Sequence, residues 1–94
     1  MLLNGKEVYF DLKKYSDEEL TKIWNKGKIV GGKSPDLYRM DNLGNLMYKP
    51  SYGKYSKMGW NVDHSKPKSK GGTNHLNNLQ PLNSIANSRK NDKY

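Results

Sequence analysis

The clearest pattern of apolar positions along the chain is helical and lies near the amino terminus. Three apolar residues have the spacing of one helix face: Leu20, Ile23 and Trp24. Ser16 and Glu19 stand three residues apart, as in a capping box, where each side chain binds an orphan backbone N–H of the other residue. The pattern predicts a helix from about Asp17 to Lys26, with Gly27 in the left-handed position that often ends a helix.

Short strand patterns lie on both sides of this helix. Leu2-Leu3 and residues 8–10 flank Asn4-Gly5, a pair that favours the positive φ angles of a tight hairpin turn. Residues 39–48 predict two short strands around a turn. Residues 50–59 are rich in glycine and tyrosine and predict a loop.

The carboxy-terminal third begins with an alternating strand pattern. Alternation places Trp60 and Val62 on one face and Asn61 and Asp63 on the other. His64 then ends the strand where a loop rich in lysine, proline and glycine begins. After that loop, Leu79 to Leu82 predict a returning strand.

A second helix is predicted over residues 83–91. Asn83 or Ser84 can cap it, and Ile85 and Ala86 are available to the core. With the upstream helix and short hairpins, these elements predict a small α+β protein. We expect residues 1–94 to form a single domain, because no linker divides the chain.

Charge changes the picture by suggesting a partner. The net charge is +8, from seventeen basic and nine acidic residues. Residues 1–48 contain eight basic and seven acidic residues, whereas residues 49–94 contain nine and two. The basic half indicates a polyanionic partner such as nucleic acid. A solvated, lysine-rich surface is the alternative explanation.

Cysteine and long apolar segments are missing from the sequence. Without cysteine the chain has neither disulfides nor a cysteine-based zinc site. No apolar run approaches the roughly 20 residues of a membrane span, and the amino terminus lacks the apolar core of a signal peptide. We therefore expect an intracellular protein, cytoplasmic or nuclear in a eukaryotic host, with no membrane partner.

Several short motifs follow one another in the basic half. In order, they are Asp63-His64, Pro67, Gly71-Gly72, Asn78-Leu79-Gln80, and Asn87 followed by Arg89-Lys90. This order and spacing resemble the HNH endonuclease family (His-Me finger nucleases with a ββα-metal fold), in the form of a small phage-type or virus-type HNH protein. The resemblance implies a ββα-metal core over about residues 59–92.

A set of upstream residues also fits some phage-type members of that family. It consists of Trp24, Pro35-Asp36, Arg39, Asp41, Tyr52-Gly53 and Gly59-Trp60. This wider similarity favours one continuous domain.

The resemblance implies a role for each polar residue of the motif. His64 is the general base, because a histidine ring is largely neutral at pH 7 and can accept a proton. Asp63 and Asn87 are oxygen ligands of one divalent cation, Mg²⁺ or Mn²⁺, with zinc less suited to such hard ligands. Asn78 supports the site by hydrogen-bonding the backbone of the long loop.

Five basic residues are candidates for contacts with nucleic acid. Arg89 and Lys90 are expected to contact phosphates, since they follow the proposed metal ligand on the helix. For Lys66, Lys68 and Lys70, phosphate contacts and a solvated loop remain equal alternatives.

Two further asparagines, Asn74 and Asn77, are interpreted as ordinary loop residues. The choice of Asn78 over Asn77 as the supporting residue rests on the Leu79-Gln80 that follows.

The function implied by the resemblance is metal-dependent hydrolysis of phosphodiester bonds in DNA, by nicking or by double-strand cleavage. RNA as substrate, and a monomer or a homodimer as the active form, stay open. The main alternative is a catalytically inactive nucleic-acid-binding protein on an HNH scaffold. A third possibility is a small basic structural protein, in which the metal-type residues are coincidental.

Overall fold

The computed structural model describes residues 2–3, 6–7 and 14–91 of the chain, with only the backbone for 2–3, 6–7 and 90–91. Seven strands and two α-helices lie in these ranges: β1 (Leu2–Leu3), β2 (Lys6–Glu7), α1 (Asp17–Trp24), β3 (Lys28–Ile29), β4 (Tyr38–Met40), β5 (Leu46–Tyr48), β6 (Trp60–His64), β7 (Leu79–Asn83) and α2 (Ser84–Asn91). Short 3-10 turns occur at Lys49–Ser51, Lys68–Lys70 and Leu76–Asn78.

Helix α1 begins as its sequence predicts. Ser16 Oγ accepts the Glu19 amide proton at 3.1 Å, and Glu19 Oε1 accepts the Ser16 amide proton at 3.0 Å. This reciprocal capping box satisfies two backbone donors that the first turn cannot pair. The predicted start at Asp17 is therefore confirmed.

The predicted end of α1 is wrong. The helix stops at Trp24, two residues before Lys26, and Asn25 caps it with a right-handed φ of −66°. Gly27 is not in the left-handed region. The Gly27 amide closes the last turn on Trp24 O at 2.9 Å. Arg39 Nη1 holds the segment that follows, because it donates to the carbonyls of Asn25 and Gly27 at 3.1 and 3.0 Å. A Cβ on Gly27 would lie 2.9 Å from the Arg39 Cβ, so close packing explains this glycine.

The amino-terminal hairpin is confirmed as far as the structure describes it. Strands β1 and β2 pair antiparallel, with Leu2 opposite Glu7 and Leu3 opposite Lys6. The other part of that prediction, residues 8–10, lies outside the described residues.

A three-stranded antiparallel sheet has the order β3-β4-β5. The two strands predicted within residues 39–48 correspond to β4 and β5, whereas the two-residue β3 has no pattern that predicts it. Tyr38 pairs with Tyr48 in the ladder, and their rings lie 5.1 Å apart. Pro35 O joins this sheet to α1, since it accepts from Trp24 Nε1 at 2.9 Å and from Arg39 Nε at 3.0 Å.

Strands β6 and β7 form an antiparallel hairpin at the centre of the molecule. The register runs from Trp60 opposite Asn83 to His64 opposite Leu79. The apolar face of β6 meets α1, where the rings of Trp24 and Trp60 lie 5.1 Å apart. Around this contact lies the core cluster, which contains Ile23, Trp24, Met47, Trp60, Val62 and Leu79.

Helix α2 packs on both strands of the hairpin. The face of the helix that contacts them is polar. Its buried side chains include Ser84 and Asn87, whereas Ile85 and Ala86 are half-buried. The expectation that these two apolar residues would enter the core is therefore only partly met. The polar face of β6 explains the difference, because Asn61 Nδ2 donates to Ser84 Oγ at 2.8 Å.

The cap of α2 is Asn83, one of the two predicted candidates. Its Oδ1 accepts the amide protons of Ile85 and Ala86 at 2.9 and 3.2 Å. Its Nδ2 donates to the carbonyls of Leu46 and Lys57 at 3.0 and 2.8 Å. One side chain thus starts the helix and attaches it to β5 and to the loop before β6.

Asp41 links the upstream sheet to this helix start. The carboxylate is 1% exposed. Its Oδ1 accepts the amide protons of Leu43 and Asn45 at 3.0 and 2.8 Å, which closes the turn between β4 and β5. Its Oδ2 accepts the Asn83 amide proton at 3.1 Å. A buried carboxylate is stable here because backbone N–H groups surround it.

The described elements make the protein a mixed α+β structure with antiparallel sheets, as the sequence predicts. Within the described ranges, no helix has the length and apolar character needed to cross a bilayer.

The Asp41 network yields a stability prediction. Asp41→Ala should lower the free energy of unfolding by about 2–4 kcal/mol, because it leaves the buried Asn83 N–H without its acceptor. Denaturant unfolding measures this. Asp36→Ala, at an exposed position in the preceding turn, is the matched control and should change stability by less than about 0.5 kcal/mol. Equal stabilities of the two variants would contradict the role given to Asp41.

Candidate active site

Asp63 lies near the carboxy-terminal end of β6 and is 8% exposed. Its partner across the ladder is Gln80, whose Nε2 donates to Asp63 Oδ2 at 2.9 Å. Directly opposite residues in an antiparallel pair are within reach of each other's side chains. Gln80 therefore holds the plane of this carboxylate. In the sequence, Gln80 only marks the register of the motif, although the predicted pairing of the two strands suggests this contact.

His64 is the last residue of β6 and is half-buried. Its Nε2 lies 2.8 Å from Oδ1 of Asn74, which stands in the loop between β6 and β7. A carboxamide oxygen only accepts hydrogen bonds, so Nε2 carries the proton in this contact. The sequence predicts Asn74 to be an ordinary loop residue, and no motif indicates its contact with the imidazole.

Asn78 holds the long loop from its far end. Its Oδ1 accepts the Lys66 amide proton at 2.8 Å, and its Nδ2 donates to the carbonyls of Lys66 and Thr73 at 3.1 and 2.8 Å. Its own carbonyl accepts the Ser65 amide proton at 2.8 Å. Asn78 thereby fixes the start of the loop, just after His64, and also the backbone near Thr73.

The two glycines of the loop meet different requirements. Gly71 has a φ of +88°, a left-handed conformation that strains other residues. Gly72 is needed for space, because an added Cβ would lie 1.7 Å from Lys66 O. The Gly72 amide donates to Pro67 O at 2.9 Å, which closes the turn. These contacts keep the loop tight against the segment that Asn78 also binds.

Helix α1 supports the same loop through Lys26, which follows it. Lys26 Nζ donates to Leu79 O at 2.7 Å and also contacts Leu76 O. These two carbonyls flank Asn78 in the chain. Desolvation lowers the pKa of Lys26 below its ordinary value. The sequence offered no signal for this contact, since about fifty residues separate the partners.

Asn87 is 3% exposed and lies one helical turn after Ser84 on the same face of α2. Ser84 contacts Asn61, and Asp63 follows Asn61 on the same face of β6. No described residue makes a hydrogen bond with the Asn87 side chain. The face of β6 that carries Asp63 and the face of α2 that carries Asn87 therefore contact each other at Asn61 and Ser84.

All basic candidates whose side chains the structure describes are exposed. Arg89 is exposed on α2, and the side chain of Lys90 lies outside the described part. The three loop lysines, Lys66, Lys68 and Lys70, are all exposed. Their backbone is held by the turn that begins at Pro67, so the loop presents a fixed basic surface.

The reactive groups of the candidate site are the side-chain oxygens of Asp63 and Asn87 and the imidazole of His64. The described residues contain no group of three or more His, Cys, Asp or Glu side chains placed to hold a metal ion. The predicted ligands include one carboxylate, Asp63, and one carboxamide, Asn87. Both offer hard oxygen donors, which suit Mg²⁺ and Mn²⁺.

Residues 51–93 match the family model described as HNH endonuclease. This match covers the segment that carries the motifs, and it confirms the resemblance of that segment to the HNH endonuclease family. Members of the family are in general nucleases that act on nucleic acids and use a divalent metal. Comparison with curated proteins and with solved structures returns no match.

The packing at Gly72 yields a prediction with a glycine control. Gly72→Ala should lower the free energy of unfolding by about 1–3 kcal/mol, because the new methyl group overlaps the Lys66 carbonyl. Gly31→Ala places a methyl group with no neighbour within 4 Å and should be within about 0.5 kcal/mol of wild type. Denaturant unfolding compares them. If both variants match the wild type, the loop is not packed as described.

Proposed function

We propose that this protein is a metal-dependent endonuclease that hydrolyses phosphodiester bonds in DNA. The observation that carries the proposal is the pairing of Asp63 and His64 at the end of β6, next to a loop that Asn78 fixes. A structural or purely binding protein has no need for a buried carboxylate beside a held imidazole. The match of residues 51–93 to a nuclease family supports the same conclusion.

His64 serves as the general base in this proposal. It accepts a proton from the water that attacks the phosphorus atom. Its half-buried position at a strand end holds the ring at one place while leaving a side accessible to substrate. Precise placement matters because a misplacement of about 1 Å can cost a factor of 10² in rate.

Asp63 and Asn87 would hold the divalent ion, which we propose to be Mg²⁺ or Mn²⁺. Both side chains are nearly buried, and they lie on the faces of β6 and α2 that meet at Asn61 and Ser84. Gln80 orients the Asp63 carboxylate through Oδ2, as outer partners commonly orient metal ligands. Such an ion supplies Lewis-acid stabilisation of negative charge on the phosphate and on the leaving oxygen.

The basic half of the chain would bind the backbone of the substrate. Arg89 is exposed on the helix that carries Asn87 and suits a phosphate contact next to the site. We extend this role to Lys90 and to the loop residues Lys66, Lys68 and Lys70. Such contacts carry no sequence information, so binding should depend strongly on salt and weakly on sequence.

We propose that residues 1–94 work as one domain. Lys26 binds loop carbonyls on both sides of Asn78, and Asp41 binds the backbone where α2 starts. These contacts join the upstream elements to the family segment. The upstream part therefore supports the site from outside the matched residues.

A nucleic-acid-binding protein without catalysis is the second candidate. The observation that favours it is the excess of basic over acidic residues within residues 49–94. Binding alone requires neither Asp63 nor His64, so substitutions at these positions separate the two functions.

Supercoiled plasmid cleavage tests the proposed function. The wild-type protein should produce nicked or linear DNA with Mg²⁺ or Mn²⁺ and no product with EDTA. His64→Ala should lower the rate by about 10²–10⁴-fold, because the general base is lost. The matched control is His75→Ala, an exposed histidine of the same loop, which should retain the wild-type rate.

Gel-shift binding with the same proteins separates the alternatives. Salt-sensitive DNA binding by both wild type and His64→Ala, without cleavage by either protein in any metal, would support the binding protein and contradict the nuclease.

A further inference from the structure

The contact between His64 and Asn74 is unusual within the loop because it joins a side chain of the strand end to a side chain ten residues later. Asn74 Oδ1 lies 2.8 Å from His64 Nε2. The contacts of Asn78 and of the turn at Pro67, by comparison, each include a backbone atom of the loop. On this geometry we propose that Asn74 is the positioning residue for His64. The inference deepens the proposed nuclease function and rests on it.

The first step concerns the proton on the imidazole. An imidazole in its neutral form carries one proton, on either Nδ1 or Nε2. Acceptance by Asn74 Oδ1 keeps that proton on Nε2. The lone pair that acts as base is then on Nδ1. Asn74 thereby selects which nitrogen of His64 takes the proton from water.

The second step concerns the orientation of the ring. A hydrogen bond at Nε2 limits rotation about the bond that joins the ring to Cβ. Asn74 can act this way only if its own backbone is fixed, and the residue before it meets that condition. Thr73 O accepts from Asn78 Nδ2 at 2.8 Å.

Asn78 also fixes the backbone on the other side of His64. Its carbonyl accepts the Ser65 amide proton at 2.8 Å, and Ser65 directly follows His64. Asn78 thus holds both the residue after His64 and the residue before Asn74. The support expected of Asn78 reaches the ring through Asn74.

Steady-state cleavage of plasmid DNA at saturating Mn²⁺ tests the proposal. Asn74→Ala should lower kcat by about 10- to 100-fold while leaving KM within about twofold, since orientation of the base is lost and substrate contacts are not. Asn74→Asp keeps an acceptor oxygen and should restore part of the rate. Asn77→Ala is the matched control. This exposed loop asparagine makes no side-chain hydrogen bond with the described residues, and its variant should behave as wild type.

A spectroscopic measurement separates positioning from a general loss of structure. Long-range ¹H–¹⁵N spectra of the His64 ring, recorded where the ring is neutral, report which nitrogen carries the proton. The wild type and Asn77→Ala should show the Nε2–H form alone, and Asn74→Ala should show a mixture of both forms. Backbone amide spectra of all variants should otherwise agree.

The two proposals fail in different ways. If the wild type cleaves no DNA under any condition, the nuclease proposal fails, and the role of Asn74 in catalysis fails with it. The ring spectra then still decide whether Asn74 selects the tautomer. If the wild type cleaves DNA but Asn74→Ala keeps both the wild-type kcat and the wild-type ring spectrum, Asn74 is not a positioning residue and the nuclease proposal stands.

Discussion

The site depends most on the hydrogen bonds of one side chain, the carboxamide of Asn78. Its oxygen and nitrogen bind the backbone of Lys66 and Thr73, at two distant points of one loop. A carboxamide is suited to this position because it accepts and donates at the same time. A loop of this length has many conformations in the absence of such contacts. Asn78 holds the residue before Asn74 and the residue after His64, and the ladder of β6 and β7 places His64 itself.

Polar networks also replace part of the core that a small chain lacks. The buried hydrophobic residues centre on the Trp24–Trp60 contact, and no cysteine adds a covalent link. Asp41 and Asn83 together connect β4, β5, the loop before β6, and α2. Among the described residues, every fully buried side-chain nitrogen or oxygen has a partner. Such satisfied networks define one arrangement of elements, because each alternative leaves a buried polar group unpaired.

The elements that local sequence determines were predictable. The capping box at Ser16 and Glu19, the pair of strands within residues 39–48, and the β6–β7 hairpin all follow from residues close together in the chain. Long-range contacts account for the errors. Arg39 binds the segment after α1 from the sheet and makes Gly27 a packing residue. The polar face of β6 turns Ser84, and with it Asn87, towards the hairpin.

The same distinction between local pattern and long-range contact applies to the candidate site. The motif indicated Asp63, His64, Asn78 and Asn87 by order and spacing, and their catalytic roles stay predictions. The contacts of Asn74 and Lys26 are visible only in the structure. No periodicity or motif links either residue to its partner, because their contacts depend on how the loop closes.

We propose that Asp63 and Asn87 hold a divalent ion beside His64. Mn²⁺ titration followed by line broadening of backbone amides tests it directly, since a paramagnetic ion broadens the nearest signals most. We expect broadening centred on residues 63–64 and 87. It should be reversed by excess Mg²⁺, lost in Asp63→Ala and kept in Asp36→Ala. Broadening centred elsewhere, or equal broadening in Asp63→Ala and the wild type, would contradict it.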